Sequence, residues 1–295
     1  MSEQHSTSKP GQSRIRSALA AAAANRRAAL IVYLTAGDPS PADTVDIVEA
    51  AFRAGADIIE LGVPFSDPNA DGVVIQEAMQ RALRAGGGLR SALASVAELR
   101  RRGCEGPIVL FGYYNPIFVH GIERFAAEAA EAGVDAVLTV DLPIDEIDEL
   151  RAPLARHGVD IVPLVAPTTG PERLARVRGL APPFVYYISM TGITGAAFRG
   201  AAGGPERVAV VRQAAEAPVA VGFGIKTAED AAAVASYADG VVVGSAVVQR
   251  IAEVGPGAAP GASPGTAPRT APRTAVDAVS EFVTELRQAL ERARP

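Results

Sequence analysis

The most constraining feature of this chain is a regular alternation of two kinds of segment. Eight short apolar, mostly β-branched runs fall at residues 30–34, 58–61, 108–111, 136–140, 161–164, 184–189, 219–221 and 241–243. Each is bounded by Gly, Pro or Asp and is almost continuously apolar, as strands buried on both faces must be. Between them lie Ala-, Glu- and Arg-rich stretches of helical spacing at 42–54, 75–85, 89–102, 122–132, 144–157, 171–178, 205–215 and 228–236. Such alternation over about 250 residues predicts an α/β chain closed into a (β/α)8 barrel, with an extra N-terminal helix and a C-terminal helix. A doubly wound open sheet is the competing arrangement.

The remaining segments set the expected boundaries. Residues 1–12 are small and polar, which predicts a disordered tail before a barrel domain at 13–254. Residues 255–274 place Pro at 256, 260, 264, 268 and 272, so neither helix nor sheet suits them and a linker insertion is expected. Residues 275–295 carry Val279, Phe282, Val283, Leu286 and Leu290 at helical spacing, which predicts a helix packed back on the barrel.

Composition removes several chemistries. A single cysteine in 295 residues excludes a disulfide framework and a Cys-based metal cluster. The histidines His5, His120 and His157 stand far apart, His120 in an expected loop, and no metal site is predicted. Net charge −5 weighs against a nucleic-acid ligand. No run reaches the ~20 apolar residues of a membrane span, and the N-terminus lacks the apolar core of a signal peptide, so a cytoplasmic location is expected.

In a barrel of this kind, chemistry belongs at the C-terminal ends of the strands. Polar residues there are Thr35, Asp38, Glu60, Asn115, Asp141 and Ser189. Three glycine-bearing loops follow the last three runs: Thr191–Gly195 with Thr194, Gly222-Phe223-Gly224, and Gly244-Ser245. Glycine permits close backbone approach, and a helix N-terminus offers free N–H groups, so these loops predict a phosphate-bearing ligand. The competing reading is plain turn geometry.

Glu60 ends an otherwise apolar run, and burial there would raise its pKa toward the range of a general acid–base. A structural Glu bonded to a neighbouring hydroxyl or backbone group is the alternative. Asp71 lies in the turn-rich segment 63–72, placed as a second acid on a lid-like loop. Asp67 in that loop serves as a turn cap or an interface residue. Tyr186 and Tyr187 are adjacent in the sixth run, so one of them faces the barrel interior.

These residues resemble a known family. Tyr33-Leu34-Thr35-Ala36-Gly37-Asp38-Pro39, the stretch from Glu60 to Pro68 with Ala70-Asp71-Gly72, Gly112-Tyr113-Tyr114-Asn115-Pro116, Asp141-Leu142-Pro143, Gly192-Ile193-Thr194-Gly195 and Gly222-Phe223-Gly224-Ile225 are similar to the motifs of the tryptophan synthase alpha chain, in their order and spacing. The resemblance implies a lyase that cleaves indole-3-glycerol phosphate to indole and glyceraldehyde 3-phosphate by a retro-aldol reaction. It implies Glu60 as the acid–base, Asp71 as acceptor of the indole N–H, and Tyr186, Thr194, Gly195, Phe223, Gly224, Gly244 and Ser245 around the substrate and its phosphate. It further implies no cofactor in this chain, a beta-chain partner carrying pyridoxal phosphate in an α2β2 heterotetramer, and Pro64, Asp67 and Asn115 near that interface.

Three positions depart from the family pattern: Val73 stands where Pro is usual, Asn69 where Leu is commoner, and Met190 where a polar or basic residue is commoner. Loss of the Pro is expected to loosen the Asp71 loop. A free-standing lyase with the same site and another phosphate-binding barrel, an isomerase or a binding module, are the alternative readings.

Overall fold

The computed structural model describes residues 13–188, 204–222, 224–254 and 274–293. Its elements run α1 (Arg14–Ala24), β1 (Ala29–Thr35), α2 (Pro41–Ala54), β2 (Ile58–Gly62), α3 (Val73–Arg84), α4 (Leu89–Arg101), β3 (Ile108–Gly112), α5 (Tyr114–His120), α6 (Ile122–Ala132), β4 (Ala136–Thr139), α7 (Asp148–Arg156), β5 (Asp160–Ile161), β6 (Leu164–Val165), α8 (Pro171–Gly179), β7 (Val185–Ile188), α9 (Gly204–Ala215), β8 (Val219–Gly222), α10 (Ala228–Ala235), β9 (Gly240–Val243), α11 (Ser245–Val254) and α12 (Ala275–Arg292).

All strand pairs are parallel, in the order β5-β4-β3-β2-β1-β9-β8-β7-β6. The expected fifth strand is split, because Pro163 has no N–H to give to a ladder. Its first half, β5, pairs with β4, and the Val162 N–H donates to Val137 O at 2.9 Å. Its second half, β6, pairs with β7, and the Tyr186 N–H donates to Pro163 O at 3.0 Å. One six-residue stretch thus joins both edges, and eight strand positions close into a TIM barrel.

Strand alternation divides the core into two layers. Ile31, Tyr33, Ile58, Val109, Phe111, Leu138 and Tyr186 fill the interior. Leu30, Val32, Leu34, Ile59, Leu61, Val185 and Tyr187 pack outward against the helices. Helix α1 contributes Ile15, Leu19 and Ala22 to the interior cluster and closes the N-terminal end of the barrel. Helix α12 buries Val279, Phe282, Val283, Leu286 and Leu290 and packs on α2, α10 and α11, each large side chain contributing about 1.5–3 kcal/mol.

That N-terminal end repeats one device. Asp57, Asp135 and Asp239 each precede a strand and accept an N–H from the first or second residue of a neighbouring one, Leu30 (2.8 Å), Ile108 (2.8 Å) and Val219 (2.9 Å) respectively. Each is also paired with arginine: Arg27 and Arg287, Arg14 and Arg100, and Arg212. A carboxylate so buried costs free energy unless bonded, and here every one is bonded.

Several expectations need correction. His120 ends helix α5 rather than sitting in a loop, and its Nε2 lies 2.7 Å from Glu128 Oε2. Pro116 does not break α5 because first-turn N–H groups have no helical acceptor. The helix expected at 144–157 starts only at Asp148, since residues 143–147 form a turn in which Asp145 binds Arg173 and Arg176. Helix α11 was not anticipated. Cys104 is half-buried against the outer layer. Residues 1–12 and 255–273 lie outside the described residues.

Candidate active site

Glu60 occupies the third position of β2, directly opposite Tyr33 of β1. The period of two that sends Ile59 and Leu61 outward sends Glu60 inward. It is fully buried, and among the described residues neither carboxylate oxygen has a hydrogen-bond partner. The structural alternative needs a neighbouring group to satisfy it, and none of the described residues does so. Burial with no compensating cation pushes its carboxyl up to about 8.

Aromatic rings surround it. Tyr33 and Phe111 meet edge to face at 5.2 Å, and Phe111 lies 6.4 Å from Tyr186. Tyr186 is therefore the inward member of the tyrosine pair, and Tyr187 belongs to the outer layer. Both inward tyrosines lie across a glycine. A Cβ at Gly62 would stand 2.1 Å from the Tyr33 hydroxyl oxygen, and one at Gly222 2.1 Å from that of Tyr186. Burial and the nearby carboxylates, Glu60 and Asp71, push the phenols of both tyrosines upward, which keeps them neutral donors.

Asp71 is brought to this pocket from the segment between β2 and α3. Its Oδ2 accepts the Tyr113 hydroxyl at 2.7 Å. The same hydroxyl accepts the Ala70 N–H at 2.9 Å, and the Tyr113 ring packs on Phe65 at 5.0 Å. Gln76 of α3 donates to Asp71 O at 2.8 Å and to Pro68 O at 3.3 Å. Where proline is usual, Val73 opens α3 with 65% of its surface exposed, and the glutamine amide supplies a tether from the first turn. Burial raises the Asp71 carboxyl above the ordinary range, and the Tyr113 bond pulls it back down.

Across the mouth, Gly244 follows β9 and Ser245 begins α11. The N–H groups of Val247 and Val248 turn back to Gly244 O, so the helix starts there and its first N–H groups have no intrahelical acceptor. A Cβ on Gly244 would press on Tyr33 Cβ at 3.3 Å, and Gly224, after β8, holds φ +79°. This is a backbone cradle suited to an anion. Thr194, Gly195 and Phe223, with Ser189 and Met190, lie outside the described residues.

Asp38, at the end of the first loop, is instead structural: it is 1% exposed and clasped by Arg81 through two bonds of 2.8 Å. Asp141 accepts the Tyr114 N–H at 2.7 Å and caps the start of α5. Pro64 is buried beside the Asp71 segment, whereas Asp67 and Asn115 are exposed, Asp67 bonded to the Ser66 hydroxyl. Among the described residues no cluster of three His, Cys, Asp or Glu is placed to hold a metal ion. The roles of Tyr33, Phe111 and Tyr113 were not assigned from sequence. Their signal was present: aromatic residues at inward positions near strand ends.

Comparison with known proteins agrees with this geometry. A family model described as "Tryptophan synthase alpha chain" matches residues 19–289. The chain is 52% identical to the tryptophan synthase alpha chain of Geobacter sulfurreducens over 237 residues, 80% of this chain and 89% of that protein. It is 51% identical to that of Thioalkalivibrio sulfidiphilus over 241 residues, 82% and 91% of the two chains. Among solved structures, the Legionella pneumophila alpha chain superposes with a TM-score of 0.82 at 35% identity, covering 96% of this chain and 98% of that one. A chain of Mycobacterium tuberculosis tryptophan synthase gives 0.81 at 36% identity, covering 95% and 99%.

Proposed function

The chain belongs to the tryptophan synthase alpha chain family, and on that premise we propose that Glu60 and Asp71 divide the proton transfers of the family's reaction between them. The protein is a carbon–carbon lyase of tryptophan biosynthesis that cleaves indole-3-glycerol phosphate to indole and glyceraldehyde 3-phosphate. The observation that carries the assignment is Glu60: a fully buried carboxyl with two unpartnered oxygens inside the barrel mouth.

With its carboxyl held near 8, Glu60 is protonated at neutral pH and gives its proton to indole C3. The ring nitrogen then carries positive charge, and the Asp71 carboxylate accepts its N–H and stabilises the indolenine. Glu60, now a carboxylate, removes the proton from the hydroxyl on the side-chain carbon bonded to indole C3. That carbon becomes the aldehyde, the carbon–carbon bond breaks, and its electron pair restores the aromatic indole. Glu60 ends protonated, as it began.

Tyr33, Phe111 and Tyr186 supply the apolar walls for the ring. Gly224, Gly244 and Ser245, together with Thr194, Gly195 and Phe223, hold the phosphate end. Backbone amides rather than net charge do the holding, which suits a chain of charge −5.

The family implies a beta-chain partner. The proposed contact surface is Asp67 and Asn115, with the buried Pro64 beneath it, and the exposed Phe118 (58%) and Val119 (76%) on α5 extend it with apolar area that suits a protein partner. Pyridoxal phosphate belongs to that partner, the assembly is α2β2, and the setting is cytoplasmic. No helix among the described residues is long and apolar enough to cross a membrane.

The test is a steady-state assay of indole release from indole-3-glycerol phosphate, with and without a beta chain. Glu60→Gln should abolish release while calorimetric binding of the substrate persists; substantial residual turnover removes Glu60 from its role. A wild-type rate indifferent to the beta chain supports the free-standing reading.

A further inference from the structure

Three separate parts of the 63–72 segment converge on one side chain that carries no assigned function. Tyr113 follows β3 and precedes α5, and it is 5% exposed. Its ring packs on Phe65, its hydroxyl oxygen accepts the Ala70 N–H, and its hydroxyl proton goes to Asp71 Oδ2. A tyrosine packed in the core for its apolar area alone needs one partner for its hydroxyl. Here both capacities of the oxygen are spent on consecutive residues of the loop bearing the second acid.

We propose that Tyr113 is the positioning residue for Asp71: it fixes the carboxylate in one orientation and locks the segment that carries it against the end of β3. One carboxylate oxygen is held by the phenol, and Oδ1 is left for the indole N–H. The inference rests on the assignment of Asp71 above.

A charge-assisted bond of this type also favours the ionised form of its acceptor, which is the form that binds an N–H. The other titratable groups that face the Asp71 carboxylate are Tyr33 from β1 and Tyr186 from β7, while Asp141, after β4, faces Tyr113. None of these is a cation, so Tyr113 is the side-chain donor bonded to this carboxylate among the described residues.

The test is Tyr113→Phe, which keeps the ring on Phe65 and removes both hydroxyl bonds. In the full-length protein, kcat for indole release should fall about ten- to hundredfold, with KM changed less than threefold, because the phosphate cradle lies on other strands. The acid limb of kcat/KM should move to higher pH. In an Asp71→Asn background the same substitution should cost less than threefold more.

Loss that adds fully to that of Asp71→Asn, or a lowered melting temperature with rate and pH profile unmoved, makes Tyr113 a packing residue and overturns the proposal. Full activity in Asp71→Asn alone overturns both the Asp71 assignment and this inference. Where Asp71→Asn is too slow to assay, the pH profile of Tyr113→Phe decides.

Discussion

Tyr33 and Glu60 are direct partners across the β1–β2 ladder, and both point into the barrel, so the Glu60 carboxyl faces a neutral phenol instead of a cation. Burial explains why Glu60 holds its proton at neutral pH, and the pairing places no cation opposite to offset it. A guanidinium in Tyr33's place would keep the carboxylate ionised and remove the proton that the proposed mechanism delivers to indole C3.

The contribution of Glu60 to stability should therefore fall as pH rises above the ordinary glutamate range toward about 8. An unfolded glutamate ionises near 4.5, whereas the folded one holds its proton to about 8. Between those values the native state binds more protons than the unfolded one, so raising the pH favours unfolding, by about 1.4 kcal/mol per pH unit at the steepest. Urea unfolding of wild type and Glu60→Gln at several pH values should give a difference that changes steadily between pH 5 and 8 and is level below 4. A constant difference across that window would show that Glu60 ionises normally.

The rate should have a matching alkaline limit. Because the free enzyme must present protonated Glu60, kcat/KM for indole release should fall above about pH 8, while the acid side reports Asp71, raised by burial. A rate still climbing at pH 9 is incompatible with Glu60 as the proton donor.

Gly222→Ala should damage catalysis through Tyr186. The added methyl would fall 2.1 Å from the Tyr186 hydroxyl oxygen and 2.6 Å from Cζ, and a rigid ring can clear it only by swinging away from the pocket. A rise in KM of tenfold or more and a loss of about 1–3 kcal/mol of stability are expected. Unchanged kinetics would show that the ring has another seat.

Arg27→Met, at the opposite end of the barrel, should cost stability without touching the reaction. Arg27 is 5% exposed and holds Asp57 through bonds of 2.5 and 2.7 Å, leaving Arg287, at 3.3 Å, as the other cation. Removing the nearer partner of a buried carboxylate costs about 3 kcal/mol. Denaturant unfolding should register that loss while kcat and KM for indole release stay within twofold.

Much of the barrel was legible because its signals are local. Continuous apolar runs, helical spacing and glycine stops each reside in a few neighbouring residues, and β1, β2 and β3 fall within a residue or so of their expected places. The misses follow from non-local causes. Helix α5 was hidden behind a proline that is harmless in a first turn, and the fifth strand broke at Pro163 because two different neighbours share its ladder. Asp38 had the position of a site residue, and only the fold brought Arg81 to it.

The order of residues alone determined the barrel and the family, since strand periodicity puts Glu60 inside and the loop motif around Asp71 is the family's. What it left open was whether Glu60 was satisfied, which tyrosine faced inward, and what held Asp71. The tertiary structure decided these, because desolvation and hydrogen bonding depend on which distant atoms arrive beside a group. Glu60 meets Tyr33 from 27 residues away across β1 and β2, and Asp71 meets Tyr113 from 42 residues on. No local pattern encodes either encounter; closing the barrel does.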